Sequence, residues 1–157
     1  MKRESKGSFP SDVVSSDTRE TRDLLSDEIH TEVQSVIDSH PYLSWLGLSV
    51  ESLAVGSARL SIPYRAELAN PGGPKGLHGG VSSAVLDASG AVAVGTTADD
   101  PASLLGQGSL STTDLNVSYL RPATGDLSIE AEAVHVGTSK AVSRIKAYVS
   151  TSERAHQ

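Results

Sequence analysis

The chain begins with polar residues and then shows a helical repeat of apolar positions. This repeat comprises Leu25, Ile29, Val33, Val36 and Ile37. Intervals of three and four residues are typical of one face of a helix, and Asp17 and Glu20 have the spacing of a capping pair. We therefore predict an amphipathic helix that begins near Asp17 and ends before Pro41. Residues 1–16, which are polar and rich in serine, are predicted to be disordered.

Alternation of apolar and polar residues predicts a β-hairpin after this helix. Residues 50–55 and 57–63 alternate with a period of two, and Gly56 between them is typical of a turn or a bulge. Three apolar residues are predicted to face inwards: Ala58, Leu60 and Ile62. A short bridge at residues 42–48 holds Trp45, the only tryptophan, which we expect to be a packing anchor.

The same alternation predicts three further strands in the second half of the chain. They span about residues 107–120, 127–136 and 140–149. We predict a loop near Pro101 and a turn at residues 122–126. One long apolar helix with consecutive strands is typical of the α+β class with an antiparallel sheet. A chain of 157 residues supports one core, so residues 17–157 are predicted to form a single domain.

Residues 76–99 predict a helix that is apolar or small on every side and carries one carboxylate, Asp87, in its interior. A helix without a polar face is expected to be buried. None of the neighbours of Asp87 three and four residues away is basic: Ser83, Ala84, Gly90 and Ala91. Burying an unpaired carboxylate is costly. Asp87 therefore either shapes the core through hydrogen bonds from elsewhere or is a catalytic base or nucleophile.

The start of this helix is rich in glycine. Five glycines surround His78 and two prolines: Gly72, Gly73, Gly76, Gly79 and Gly80. Such a loop brings backbone N–H groups against a ligand, and a helix N-terminus offers unpaired donors to an anion or a developing oxyanion. The alternative is a helix entry that needs glycine only for tight packing, since the loop lacks the pattern of a P-loop or a dinucleotide fingerprint.

The spacing of His78 and Asp87 predicts a site shared between two chains. Nine residues of helix separate them, which places the side chains on opposite faces and about 13 Å apart along the axis. Two such helices lying antiparallel across a dimer axis would bring the glycine amides of one chain to Asp87 of the partner subunit. We therefore predict a homodimer with two composite sites.

Two segments of the chain carry distinctive motifs. One contains Leu77-His78-Gly79-Gly80, followed seven residues later by Asp87, and the other runs from Leu110 to Pro122 and ends in Tyr-Leu-Arg-Pro. Together they resemble the PaaI-like, or phenylacetate-degradation, group of hotdog-fold acyl-CoA thioesterases. The resemblance covers about residues 41–150. It implies a hotdog fold, with a long central helix wrapped by an antiparallel sheet, and dimers or dimers of dimers. It also implies hydrolysis of acyl-CoA thioesters without a metal or a cofactor.

The resemblance implies roles for particular residues. The family's catalytic positions correspond to Asn70, His78, Gly79, Asp87 and Thr112, with Thr113 as the alternative to Thr112. In this scheme the Gly79 N–H binds the thioester oxygen, and Asp87 activates water or attacks the carbonyl itself. Asn70 positions the water or the thioester, and His78 orients the loop.

Contacts with coenzyme A are also implied by the resemblance. They fall on Arg121 and on the turn residues Gly137, Thr138, Ser139 and Lys140, and Gly80 and Arg144 are further candidates. Along the last predicted strand, Lys140, Arg144 and Lys146 share one parity, opposite small and apolar residues. A basic face suits phosphates. A solvated outer face of the sheet is the alternative for each of these residues.

Composition narrows the function classes. The chain has no cysteine, which excludes disulfides and thiol catalysis, and its 5 histidines show no metal-ligand spacing. A net charge of −6 with 4% aromatic residues argues against a nucleic-acid surface. No apolar segment approaches the roughly 20 residues of a membrane span, and no leader is evident. These features predict a cytoplasmic protein without a membrane partner.

Two other functions stay open at this point. A non-catalytic acyl-CoA-binding module could use the same fold, and a hydratase would normally carry its Asp and His close together on one segment. The acyl group is also open among aromatic, medium-chain and branched types. Relatives continue into a final strand, whereas this sequence ends at Gln157, so the sheet is expected to be one strand short, with an exposed edge.

Overall fold

The computed structural model describes residues 23–72 and 75–150 of the chain. These residues form α1 (Asp27–Ser39), α2 (Pro41–Leu46), β1 (Ser49–Ala54), β2 (Ser57–Ile62), one 3-10 turn (Ala66–Leu68), α3 (Gly79–Gly95), α4 (Pro101–Gly106), β3 (Leu127–Val136) and β4 (Ala141–Val149). The predicted α+β class is confirmed. The predicted tail, residues 1–16, and the capping pair Asp17 and Glu20 lie outside the described residues.

The four strands form one antiparallel sheet in the order β1-β2-β3-β4. α3 packs across its inner face against β2, β3 and β4. Leu60 of β2 lies opposite Ile129 of β3, and both side chains are 0% exposed. The three residues predicted to face inwards are buried: Ala58, Leu60 and Ile62. The period-two pattern therefore identified the core face of β2 correctly.

A two-residue turn, Val55 and Gly56, joins β1 to β2. Gly56 has a φ of 73°, which glycine adopts without strain. Its N–H donates to Thr96 Oγ1 at 2.8 Å, and its carbonyl accepts from the Ala133 N–H at 2.9 Å. The predicted turn is confirmed, and it ties the end of α3 to β3.

The N-terminal helix begins later than the sequence pattern suggests. Its N-cap is Ser26, whose Oγ accepts from the Ile29 N–H at 3.4 Å. Leu25 lies before the helix and donates its N–H to the Leu53 carbonyl at 2.9 Å. The predicted start near Asp17 is wrong because residues 23–26 pair with β1 or cap the helix instead of continuing it. The apolar face is confirmed, since Val33 and Ile37 are buried.

α1 covers the outer edge of β1. The side-chain amide of Gln34 accepts from the Val50 N–H at 2.7 Å and donates to the Leu48 carbonyl at 3.2 Å. An unpaired strand edge is a site for unwanted pairing with other chains. Gln34 thus satisfies main-chain groups that a further strand would otherwise bind.

The predicted bridge at residues 42–48 is largely the short helix α2. Trp45 within it is 53% exposed, so the prediction of a packing anchor is wrong. The Arg65 guanidinium lies 5.5 Å from the centre of the Trp45 ring and donates to the Trp45 carbonyl. The indole therefore forms a surface cation–π contact and does not fill the core.

The loop predicted near Pro101 is wrong, because the chain forms α4 there with Asp100 as its N-cap.

The predicted strand at residues 107–120 is also wrong. Residues 109–121 belong to no helix or strand, and no main-chain hydrogen bond joins them to the rest of the described chain. β4 has β3 as its one strand neighbour in the described part. The segment therefore adds no further strand to the sheet within the described residues.

Truncating the core pair between β2 and β3 is expected to destabilise the fold. Leu60→Ala should lower the free energy of unfolding by about 2–5 kcal/mol, because it removes buried methyl groups and leaves a cavity beside Ile129. Urea denaturation followed by circular dichroism measures this change. The control is Val55→Ala at a position 62% exposed, which should change stability by less than about 0.5 kcal/mol. Equal effects of the two variants would contradict this placement of the core.

Candidate active site

The N-terminus of α3 is capped by the side chain of His78. Its Nδ1 accepts from the Gly80 N–H at 2.9 Å. The N–H groups of Val81 and Ser82 donate to the His78 carbonyl at 2.9 and 3.1 Å. Among residues 23–72 and 75–150, the Gly79 N–H has no hydrogen-bond partner. The helix start thus presents one open donor, at the glycine predicted to bind the thioester oxygen.

A groove of about 640 Å³ lies beside this open donor. It brings together three of the predicted site residues, Asn70, Gly79 and Arg121. Other lining residues include Leu77, Ser82, Tyr119, Leu120 and Pro122. The Tyr119 hydroxyl donates to the Gly79 carbonyl at 2.7 Å, and Leu120 is 89% exposed. The groove therefore combines a backbone donor, an amide, a guanidinium and apolar walls.

Main-chain hydrogen bonds anchor the ends of the glycine-rich loop. The Asn70 N–H donates to the Gly76 carbonyl at 2.9 Å, and the Leu77 N–H donates to the Ala123 carbonyl at 2.9 Å. A Cβ at Gly76 would lie 3.3 Å from Pro122 Cβ. Tight packing therefore explains Gly76, while the open amide at Gly79 fits the ligand-binding alternative. Asn70 is exposed at the groove.

Asp87 lies further along α3 and is hydrogen-bonded to Thr112. Thr112 Oγ1 donates to Asp87 Oδ1 at 2.7 Å, whereas Oδ2 has no partner within the described part of the chain. Of the two hydroxyl residues considered, Thr112 is the one the structure brings to the carboxylate. Their catalytic roles stay predictions.

The prediction that α3 is buried on every side is wrong for a single chain. One stripe along α3 is only partly buried or exposed: Gly80, Ser83, Ala84, Asp87 and Ala91. These positions recur at three and four residues and so share a face. The sheet covers the opposite side of the helix and leaves this stripe uncovered, and its residues are small apart from Asp87.

Within one chain, the Gly79 N–H and the Asp87 carboxylate lie apart. Asp87 and Thr112 do not line the groove that contains Gly79. Eight residues of helix separate Gly79 from Asp87, or about 12 Å along the axis. Water or substrate held at the Gly79 N–H is therefore beyond the reach of the Asp87 carboxylate of the same chain.

The predicted contacts with coenzyme A are scattered over the surface. Residues 137–140 form the turn between β3 and β4, closed by the Gly137 N–H donating to the Lys140 carbonyl at 2.8 Å. Ser143 faces α3, since its Oγ donates to the Gly90 carbonyl at 3.0 Å, so Arg144 lies on the outer face, opposite Glu132. This placement favours the alternative of a solvated outer face for Arg144. Contacts with coenzyme A by Thr138, Ser139 and the other predicted residues stay predictions.

Two general features of the described residues bear on ligands and membranes. No group of three or more His, Asp or Glu side chains lies close enough there to hold a metal ion. No helix in that part of the chain is long and apolar enough to cross a membrane.

A long helix packed across an antiparallel sheet is the arrangement of a hotdog fold. A family model of the thioesterase superfamily matches residues 75–155. A Halobacterium salinarum protein, provisionally named an esterase, is 41% identical over 121 residues, which make up 76% of this chain and 78% of the relative. The chain therefore belongs to the thioesterase superfamily.

Solved structures agree with this assignment. A Shewanella oneidensis protein related to the thioesterase superfamily has a TM-score of 0.64 at 26% identity, over 77% of this chain and 85% of that one. The E. coli PaaI protein, from the phenylacetic acid degradation operon, has a TM-score of 0.57 at 18% identity, over 78% of this chain and 92% of PaaI. At that identity, the likeness to PaaI shows the fold. The predicted PaaI-like hotdog fold is confirmed.

Sequence reasoning missed the role of Tyr119 in building the site. The sequence pattern places Tyr119 in the run Tyr-Leu-Arg-Pro and predicts no contact for it. Its hydroxyl reaches a carbonyl 40 residues away in sequence, at Gly79. Local pattern carries no signal for such a contact, although an aromatic residue with a hydrogen-bonding tip near a motif end is a reasonable candidate.

Proposed function

We propose that this protein hydrolyses acyl-CoA thioesters to free acids and coenzyme A, at sites shared between the two subunits of a homodimer. The observation that carries the proposal is the open Gly79 N–H at the N-terminus of α3, beside a groove. A donor at a helix N-terminus is suited to an oxygen that gains negative charge in the transition state. Membership of the thioesterase superfamily supports thioester hydrolysis as the reaction.

The chemical steps require one donor and one carboxylate. Asp87 of the partner subunit accepts a proton from water, and the water oxygen bonds to the thioester carbon. The carbonyl oxygen takes up the electron pair and is stabilised by the Gly79 N–H. The C–S bond then breaks, the carbonyl re-forms, and the proton on Asp87 passes to sulfur. In the alternative, an Asp87 oxygen bonds to the thioester carbon, the C–S bond breaks to release the thiolate, and water then hydrolyses the mixed anhydride to the free acid and the Asp87 carboxylate, with the released proton passing to the thiolate.

The other residues of the site have supporting roles in this proposal. Thr112 donates to Asp87 Oδ1 and so leaves Oδ2 to face water. Asn70 and Arg121 line the groove, where an amide can orient the thioester and a guanidinium can bind a phosphate of coenzyme A. The open stripe on α3 supports a dimer, because small residues allow two helices to approach closely.

Thiol release from a panel of acyl-CoAs tests the proposed reaction. The panel comprises phenylacetyl-, benzoyl-, acetyl-, hexanoyl- and palmitoyl-CoA. We expect release of one thiol per acid formed, and the chain adds no thiol background because it has no cysteine. Binding without turnover on every member would favour an acyl-CoA-binding module instead. Loss of an enoyl-CoA chromophore without thiol release would favour a hydratase.

A further inference from the structure

One peptide group in the first turn of α3 is held at both ends by side chains. It joins Gly79 to Gly80. Its N–H donates to His78 Nδ1 at 2.9 Å, and its carbonyl accepts from the Tyr119 hydroxyl at 2.7 Å. A peptide group is planar and stiff, so two hydrogen bonds from opposite sides fix its orientation.

The local sequence gives this peptide group no restraint from its own side chains. Gly79 and Gly80 are consecutive glycines, which have wide conformational freedom and no side chains to pack against the sheet. The open Gly79 N–H belongs to the preceding peptide, and its direction depends on the torsion angles at Gly79. Fixing the following peptide therefore limits the directions in which this N–H can point.

Tyr119 is well placed to supply this restraint. A Cβ at Gly79 would lie 3.5 Å from both Cζ and the hydroxyl of Tyr119, so the phenol ring lies in van der Waals contact with the helix start. The ring is nevertheless 58% exposed and lines the groove. Residues 109–121 make no main-chain hydrogen bonds to the rest of the described chain. The Tyr119 hydroxyl thus links the helix start to a segment that is not held by main-chain hydrogen bonds.

We propose that Tyr119 is a positioning residue for thioester hydrolysis. It acts through the Gly79 carbonyl and aims the Gly79 N–H at the developing oxyanion. The proposal rests on the proposed function for its effect on catalysis, whereas its effect on the Gly79 amide is independent of any activity. Tyr119 need not touch the reacting atoms in this role.

Steady-state kinetics of Tyr119→Phe test the catalytic part. The variant keeps the ring and loses the hydroxyl, so kcat should fall about 10-fold, the scale of one lost hydrogen bond, while KM changes less than about twofold. Tyr148→Phe is the matched control, because Tyr148 lies opposite Ser128 on the outer face of the sheet and does not line the groove. The control should leave both constants unchanged.

A double-variant cycle separates positioning from a general structural effect. In a Gly79→Pro background, which lacks the N–H, Tyr119→Phe should produce almost no further loss in kcat. An undiminished 10-fold loss in that background would overturn the proposal. So would a wild-type kcat in Tyr119→Phe alone.

Amide NMR of the ¹⁵N-labelled protein gives a readout that does not depend on turnover. Tyr119→Phe should lower the heteronuclear NOE of the Gly79 and Gly80 amides, whereas Tyr148→Phe should not. Unchanged NOE values would overturn the positioning role even in an active enzyme. If the wild type hydrolyses no thioester, the proposed function fails, and the NMR comparison still decides whether Tyr119 orders this peptide.

Discussion

Asp87→Asn is expected to reduce kcat for thioester hydrolysis by about 100- to 10,000-fold, the range associated with losing a general base. Asparagine has nearly the same size and shape as aspartate, and its amide oxygen can still accept the hydrogen bond from Thr112. The fold and the dimer should therefore persist, while the group that takes the proton from water is gone. Thiol release under saturating acyl-CoA measures the loss.

The matched control for this variant is Asp99→Asn. Asp99 is exposed in the loop between α3 and α4. The variant therefore replaces a carboxylate by an amide at a position away from both Gly79 and Asp87. Its kcat should equal that of the wild type. Circular dichroism and size-exclusion chromatography should show both variants folded and in the same oligomeric state. Activity of Asp87→Asn within about threefold of wild type would exclude Asp87 as general base and as nucleophile.

Much of the fold followed from periodicity. Alternation is clear in β2 and in the first half of β3, whose buried residues face α3, whereas β1 and β3 each carry one irregularity in register. Such strands can be predicted from sequence because successive side chains of a strand point to opposite faces of the sheet. Residues 107–120 also alternate, yet they form no strand among the described residues. Alternation indicates which face of a strand each side chain would occupy. Whether a segment forms a strand also depends on main-chain hydrogen bonds to a neighbouring strand, which local sequence does not encode.

The candidate site was predictable only in part, again because local sequence does not encode contacts between distant residues. Gly79 and Asp87 belong to one helix, so their separation along the axis followed from helix geometry. The family resemblance named Thr112 as a catalytic position, but the contact between Thr112 and Asp87 was not predicted, because it joins residues 25 apart in sequence. The partial exposure of Asp87 was not foreseen. The small, apolar residues around Asp87 suggested a buried helix. In the structure, the face of α3 that contains Asp87 is not covered by the rest of the chain.

The Gly79 N–H can be removed with little other change. Gly79→Pro eliminates this donor, and proline is favoured at the first position of a helix. The preceding residue, His78, has φ −57° and ψ 136°, which is the conformation preferred before proline. We expect kcat to fall about 100- to 1000-fold, the loss typical of one oxyanion-hole donor. Kinetics on the best acyl-CoA of the panel measure it.

Gly79→Ala is the control for Gly79→Pro. It keeps the N–H, and its Cβ would lie 3.5 Å from Tyr119, an ordinary van der Waals distance. Alanine also favours a helix more than glycine does. This variant should keep kcat within a few-fold of wild type. An equal loss in both variants would show that bulk at Gly79 matters and that the donor does not.

Mixing two inactive variants tests whether each site is shared. If the Gly79 N–H of one chain works with Asp87 of the partner subunit, a heterodimer of Gly79→Pro and Asp87→Asn has one site with both groups intact. The other site of that heterodimer has neither group. Refolding the variants together at equal amounts should then restore about a quarter of wild-type activity, since half of the dimers are mixed and each has one working site. A site built within one chain would give no recovery, because every chain in the mixture lacks one of the two groups.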